Sequence, residues 1–139
     1  MTKLLEPPEG RQVFTRAFTA LPEHIDANGH VNNVVYLDWV QQIAIAHWEA
    51  VQPADDQAKW AWICLRHEVD YRRALMPGET AQARTWLSET TEGPRYDRYV
   101  RIDGPDGAMC AQAITTWCLI EQGSGRPRRV PPDMVARFL

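Results

Sequence analysis

Three polar side chains stand close together in the segment Ile25-Asp26-Ala27-Asn28-Gly29-His30-Val31-Asn32-Asn33. Asp26, Asn28 and His30 occupy alternate positions, and in an extended segment a spacing of two puts side chains on one side. A carboxylate, a carboxamide and an imidazole can then converge on one point. Gly29 lets the backbone take a positive φ or approach a ligand closely. The set suits acyl transfer, which needs a base or nucleophile at the carbonyl carbon and donors for the oxyanion that develops. Side-chain carboxylates are ordinarily ionised at neutral pH, so Asp26 can serve as general base or as nucleophile. His30 can position a water or give up a proton, and Asn28 can hold that water or orient Asp26. Backbone N–H groups at Gly29, His30 or Val31 would polarise the carbonyl, and Gly29, Val31 and Asn33 are the expected substrate contacts. A plainer reading stands beside this one, because Asp-x-Asn-Gly is also the composition of an ordinary turn. The segment has neither metal-ligand spacing nor a glycine-rich phosphate signature, and no metal or cofactor is expected.

The elements that must hold this segment follow from periodicity and turn chemistry. Asn32 or Asn33 can cap a helix that runs to about Val51 and stops before Pro53. Its polar residues Asp38, Gln41, Gln42 and Glu49 fall on one narrow stripe, and a helix apolar over the rest of its girth is surrounded by protein. The first N–H groups of that helix have no intrahelical partner and carry the positive end of its dipole. Val13 to Ala20 reads as a strand ahead of the helix. After it, Trp60 to Arg73 alternates, with Ile63, Leu65, Val69 and Tyr71 on one side. Strands follow over Thr80 to about Thr91, Arg95 to Asp103 and Ala108 to Ile120, with Gly104-Pro105-Asp106-Gly107 as a hairpin turn. Pro131-Pro132-Asp133 opens a short helix that ends at Leu139. Four strands in hairpin succession are antiparallel, and the simplest packing curls the sheet around the apolar helix. The expectation is one α+β domain over residues 1–139, with an antiparallel sheet of about five strands wrapped around one long central helix. Free sheet edges and the remaining helix stripe favour a homodimer, or a dimer of dimers.

Bulk properties narrow the function classes. Among 139 residues the net charge is −3, so there is no electrostatic footprint for nucleic acid and no polybasic signal for a membrane. The apolar run from Val34 to Val51 is interrupted by charged and polar residues and does not read as a membrane span. The N-terminal stretch from Met1 to Pro8 is too short and too polar for a signal peptide. Cys64, Cys110 and Cys118 have no zinc spacing and are odd in number, which suits free thiols in a reducing cytoplasm. One local basic cluster, Gly125-Arg126-Pro127-Arg128-Arg129, is a candidate for the phosphates of a nucleotide carrier through Arg126 and Arg128; a solvated loop is the alternative. His47 reads as a buried, hydrogen-bonded histidine, and the six tryptophans as core or interface anchors, one or two of which could line an acyl tunnel.

The segment from Ile25 to Trp39 resembles the Asp-x-Asn-x-His-Val-Asn-Asn stretch of the acyl-ACP and acyl-CoA thioesterases of the hotdog superfamily, which includes the 4-hydroxybenzoyl-CoA thioesterases. Val69-Asp70-Tyr71-Arg72-Arg73 is similar to the Tyr-Arg-Arg strand of the plant acyl-ACP enzymes. The resemblance implies a hotdog fold, catalytic roles for Asp26, Asn28 and His30, and an active site at a dimer interface. It implies hydrolysis of an acyl thioester, with acyl-CoA or acyl-ACP as substrate. One departure stands out: an acidic residue and a cysteine follow Tyr-Arg-Arg in the plant enzymes, where this chain has Ala74-Leu75. A hotdog enoyl-thioester hydratase is a second reading, but those proteins carry Asp-x-Asn-Pro-x-His, with one more residue before the histidine. A non-catalytic acyl-CoA-binding domain is a third, and this chain has no DNA-binding segment to go with it.

Overall fold

The long helix forms where its cap predicts. In a computed structural model, which describes residues 3–139, α1 spans Asn33–Val51. Met1 and Thr2, the start of the stretch read as no signal peptide, lie outside the described residues. Asn32 is the N-cap: its backbone is extended and its Oδ1 accepts the Val34 N–H at 3.1 Å. The helix ends at Gln52, which precedes Pro53 and takes the extended conformation that a following proline favours. A second helix, α2 (Ala54–Lys59), was not expected from the sequence. Pro53 ends one helix and stands at the N-cap of the next, with Asp55 and Asp56 in the favourable first turn.

The strands are β1 (Phe14–Thr19), β2 (Trp60–Tyr71), β3 (Thr80–Leu87), β4 (Arg95–Asp103), β5 (Met109–Glu121) and the two-residue β6 (Arg126–Pro127), followed by α3 (Pro132–Phe138). All pair antiparallel, in the order β1-β3-β4-β5-β2, with β6 on the end of β5. The α+β expectation of a curled antiparallel sheet against one long helix holds. The expected succession of four strands joined by hairpins does not. Only β3-β4-β5 is a meander; β2 sits at the edge against β5, and residues 72–79 cross to β3 on the far side of β4. Bonds outside any hairpin hold that crossover. The Arg72 and Arg73 N–H groups donate to Cys110 and Met109 carbonyls, and the Gly78 N–H donates to the Ala20 carbonyl. Such partners lie far off in sequence, so local turn chemistry does not reveal them.

The alternation along β2 also breaks. A bulge between Cys64 and Arg66 shifts the register, and a bulge adds one residue to one strand, so the inward-facing set changes phase. Ile63 and Leu65, expected on the side of Val69 and Tyr71, are about half exposed, while Trp60 is buried and Val69 packs on the core. The helix is likewise not enclosed all round: Val34 is 67% and Ile45 54% exposed, on the same stripe as Asp38 and Gln41.

The core has two halves. The first half of α1, through Tyr36, Trp39, Val40 and Ile43, lies on a floor containing Ala81, Ala83, Ala111 and Ala113. Small side chains there let the helix approach the sheet closely. The far end rests with Trp60, Tyr96, Leu119, Met134 and Phe138, which are larger. Between them lies a buried polar chain. The His47 Nε2–H donates to Gln12 Oε1 at 2.6 Å, which leaves Nδ1 to accept from the Arg98 guanidinium at 3.0 Å. His47 is fully buried, and burial, with the Arg98 charge beside it, pushes its pKa down to about 3. The unfolded histidine titrates near ~6.5, so below that pH the unfolded chain binds the extra proton. The contribution is therefore full above about pH 6.5 and lost as pH falls. Urea midpoints should show a loss of about 1–2 kcal/mol between roughly pH 6.5 and 5, above the range where most carboxylates titrate. His47→Gln should flatten that slope; an unchanged slope would mean that His47 is not the group responsible.

Candidate active site

The segment before α1 is a closed turn, not the extended stretch the alternate spacing suggested. Ile25 and Val31 form an antiparallel bridge, the Asp26 N–H donates to the His30 carbonyl at 2.9 Å, and the Gly29 N–H donates to the Asp26 carbonyl at 3.0 Å. Asp26 Oδ1 accepts the Asn28 N–H at 2.9 Å, the side-chain turn that aspartate favours. Gly29 takes φ +80, a conformation that L side chains rarely adopt. The turn and the chemical set are thus the same object. Asp26, Asn28 and His30 still line one cavity of about 270 Å³, together with Val31 and Asn33. They meet because a short hairpin folds them over it.

The backbone donors are unevenly available. The Gly29 N–H is committed to Asp26, and the Val31 N–H donates to the Leu75 carbonyl at 3.0 Å. The His30 N–H and the Asn33 N–H, first of the helix, make no hydrogen bond among the described residues. Two donors at the positive end of α1 therefore remain for a ligand, next to an exposed His30 side chain and a half-buried Asp26.

The opposite wall is the crossover after β2. Tyr71, Arg72, Arg73 and Ala74 line the cavity, with Tyr36 from α1 and Cys110 from β5. Arg73 is a clamp. Its guanidinium holds both oxygens of Glu79 at 2.9 Å and Asp106 at 3.0 Å. Arg73 and the Met76 N–H hold the Glu79 carboxyl at about 2. Tyr36 Oη accepts the Leu75 N–H at 3.1 Å, and Tyr71 Oη donates to the Asn33 carbonyl at 3.4 Å. Burial pushes the Cys110 thiol up to about 11, so at neutral pH it is not a thiolate nucleophile. Leu75, which stands where a cysteine follows in the plant enzymes, is fully buried in the core. Sequence reasoning did not place Tyr36, Tyr71 or Cys110 at the site. Only the pairing of Tyr71 with Ala111 and the crossover bonds bring them to the cavity.

Arg126 and Arg128 are not brought to this cavity. They follow the far end of β5, where Ile120 pairs with Pro127, whereas Cys110 lies at its start. That interval of extended strand is about 30 Å. Arg128 lies 3.6 Å from Glu121. Among the described residues no three His, Cys, Asp or Glu side chains cluster as a metal site requires, and no helix is long and apolar enough to cross a membrane.

Comparison with known proteins agrees with this architecture. No curated protein matches the sequence. Among solved structures, a predicted thioesterase from Bacillus stearothermophilus superposes with a TM-score of 0.80 at 22% identity, covering 91% of this chain and 94% of that one. A thioesterase from Thermus thermophilus, complexed with coenzyme A and Zn, gives 0.79 at 21% identity over 94% and 93%. A hypothetical protein from Staphylococcus aureus, in complex with CoA, gives 0.79 at 16% identity over 95% and 85%. These likenesses show the hotdog fold. The sequence profile of the thioesterase-like superfamily matches residues 20–138, nearly the whole chain and all of the Asp26 segment, and the chain therefore belongs to the thioesterase-like superfamily.

Proposed function

We propose that this thioester hydrolase acts on an acyl-CoA, with Asp26 delivering the attack on the thioester carbonyl. The observation that carries the reading is the meeting of Asp26, Asn28 and His30 at one cavity beside the unbonded His30 and Asn33 N–H groups. Asp26 acts on the carbonyl carbon directly or through a water that it deprotonates. As the carbonyl oxygen gains charge, donors at a helix start suit it, because they stand ready before the charge develops. Asn28 holds the attacking water, and the proton that Asp26 takes from it passes through His30 to the sulfur as the carbon–sulfur bond breaks. Ala74 and the protonated Cys110 offer no second nucleophile. Coenzyme A in two of the similar structures supports CoA as the carrier; acyl-ACP is the other carrier to compare.

A homodimer is part of this reading. Edge strand β2 exposes Ile63, Leu65 and Tyr71, and α1 exposes Val34 and Ile45, an apolar strip of the kind that association covers. Two copies paired antiparallel along β2 would bring the Trp60 end of one beside the Tyr71 end of the other. The second copy's Arg126 and Arg128 would then approach the Asp26 cavity, which keeps them as candidates for the CoA phosphates. Thiol release from a panel of acyl-CoAs tests the function. Release from none of them would overturn it, and loss of crotonyl-CoA absorbance without thiol release would mark a hydratase instead.

A further inference from the structure

A cavity larger than the one that Asp26 faces lies elsewhere in the molecule. It measures about 390 Å³ and opens between the second half of α1 and β2, where Gln41 and Ile45 are exposed. Its walls are aromatic, from Trp48, Trp62, Tyr96, Trp117 and Phe138, and Arg98 stands among them. Three groups on these walls lack what a buried group requires. Arg98 is only 4% exposed and forms no ion pair with a carboxylate among the described residues. One of its nitrogens donates to His47 Nδ1 and Thr85 Oγ1, both at 3.0 Å, and its carbon lies 5.4 Å from the Phe138 ring centre. Tyr96 Oη and Trp117 Nε1 are buried with no hydrogen-bond partner among the described residues. Burying a cation without a counter-ion and donors without acceptors is costly, and folded proteins leave few such groups.

These three costs fall on the walls of one cavity, and one kind of ligand group removes them together: an anion with several acceptor lone pairs. His47 cannot supply it, since its free nitrogen already accepts from Arg98. Burial pushes the Arg98 guanidinium down, to about 9, opposed by the neighbouring Tyr96 hydroxyl. Apart from Gln41 at the mouth and the Cys64 thiol, the rest of the lining is ring and hydrocarbon, suited to methylenes.

We propose that this cavity receives the acyl group of the substrate and that the group ends in a carboxylate, bound by Arg98 with Tyr96 Oη and Trp117 Nε1 as further donors. The substrate class is a ω-carboxyacyl thioester, the monothioester of a dicarboxylic acid. The inference rests on the thioesterase reading. It also bears on chain length. From Asn33, beside the Asp26 loop, to Ile45 at the cavity is about 18 Å along α1. A long, linear chain suits that span when one subunit holds both ends.

The product of hydrolysis would be the free diacid, so binding can be read without turnover. Trp48, Trp62 and Trp117 line the cavity, and their fluorescence reports its filling. Dodecanedioate should bind at least about tenfold more tightly than 1-dodecanol, which has the same chain length and no carboxylate, as one charge-assisted contact implies. Arg98→Met should abolish or reverse that preference. Tyr96→Phe should weaken it several-fold with no loss of apo stability, since the hydroxyl it removes has no partner. The double variant Tyr96→Phe, Trp117→Phe carries the test if Arg98→Met does not fold. Equal or tighter binding of 1-dodecanol, a preference that survives in the folded variants, or a loss in Arg98→Met that falls instead on CoA alone would overturn the proposal. Thiol release separates the two readings. Hydrolysis of lauroyl-CoA but not dodecanedioyl-CoA sinks this inference alone; diacid binding with no acyl-CoA hydrolysed sinks the thioesterase reading, and the substrate assignment with it.

Discussion

Replacing Asp26 by asparagine should lower kcat/KM on the best acyl-CoA by about 10²–10⁴-fold while leaving the melting temperature unchanged. The asymmetry comes from the two uses of this side chain. As a structural group, Asp26 accepts the Asn28 N–H through Oδ1 at 2.9 Å, and a carboxamide oxygen does the same. The other bonds of the turn, from the Asp26 N–H to His30 and from the Gly29 N–H to Asp26, are backbone to backbone. As a chemical group, only the carboxylate takes a proton from water or attacks a carbonyl. Asn therefore keeps the turn and removes the reaction. Steady-state thiol release and a thermal melt on the same preparation give both numbers. Activity within a few-fold of wild type would remove Asp26 from the mechanism, and a large fall in melting temperature would make the activity loss uninterpretable as chemistry. The variant does not separate base from nucleophile. Unlabelled product from a single turnover in ¹⁸O-water would identify the nucleophile, because the acid then keeps an oxygen drawn from Asp26 when water opens the mixed anhydride at the Asp26 carbon.

Truncating Phe138 to alanine should produce the largest stability loss of a single substitution, about 3–5 kcal/mol. Phe138 is 1% exposed. Its ring lies 5.1 Å from His47, 6.1 Å from Tyr96 and 6.2 Å from Trp48, centre to centre, with the Arg98 guanidinium carbon at 5.4 Å. With Met134, it is the residue through which the seven-residue α3 closes one end of the core. Beyond it the helix is tied by Arg137, which bonds Gln52 and Asp56 at 3.0 Å. A helix this short is not stable by itself, so the loss of its anchor should release it. The melting temperature should fall by roughly 10 °C or more, and the Arg98 cavity should lose a wall. A urea-derived change below about 1 kcal/mol would mean that α3 is not packed on the core in solution.

The parts of this fold that were legible in the sequence are those fixed by neighbours in the chain. Asn32 caps α1 because a short side chain two residues before Val34 reaches its N–H. Gly107 gives the β4–β5 turn its positive φ, and Asp106 accepts the Ala108 N–H. The crossover from β2 to β3 was illegible because Pro77-Gly78 reads as a hairpin turn whatever the two strands pair with. The β2 bulge was illegible for a related reason: only register with β5 reveals an extra residue. Arg98 was hidden by its type. An arginine in an alternating strand is assigned to solvent, and only the neighbouring Thr85, His47 and Phe138 hold it inside.

The Asp26 segment divides along the same line. Covalent spacing and the Asn32 cap are enough to require that a carboxylate, a carboxamide, an imidazole and a helix start lie within a few residues of one another. The sequence by itself also carried the superfamily, through the residues of that segment. The tertiary structure alone decided how the three side chains come together, since a turn closed by Gly29 replaces the extended stretch. It decided which backbone N–H groups remain open, because Leu75 of the crossover takes that of Val31. It placed Tyr36, Tyr71 and Cys110 on the opposite wall and kept Arg126 and Arg128 a strand's length away. Spacing along a chain limits what can meet, but which groups are left unsatisfied depends on every other segment that packs against them.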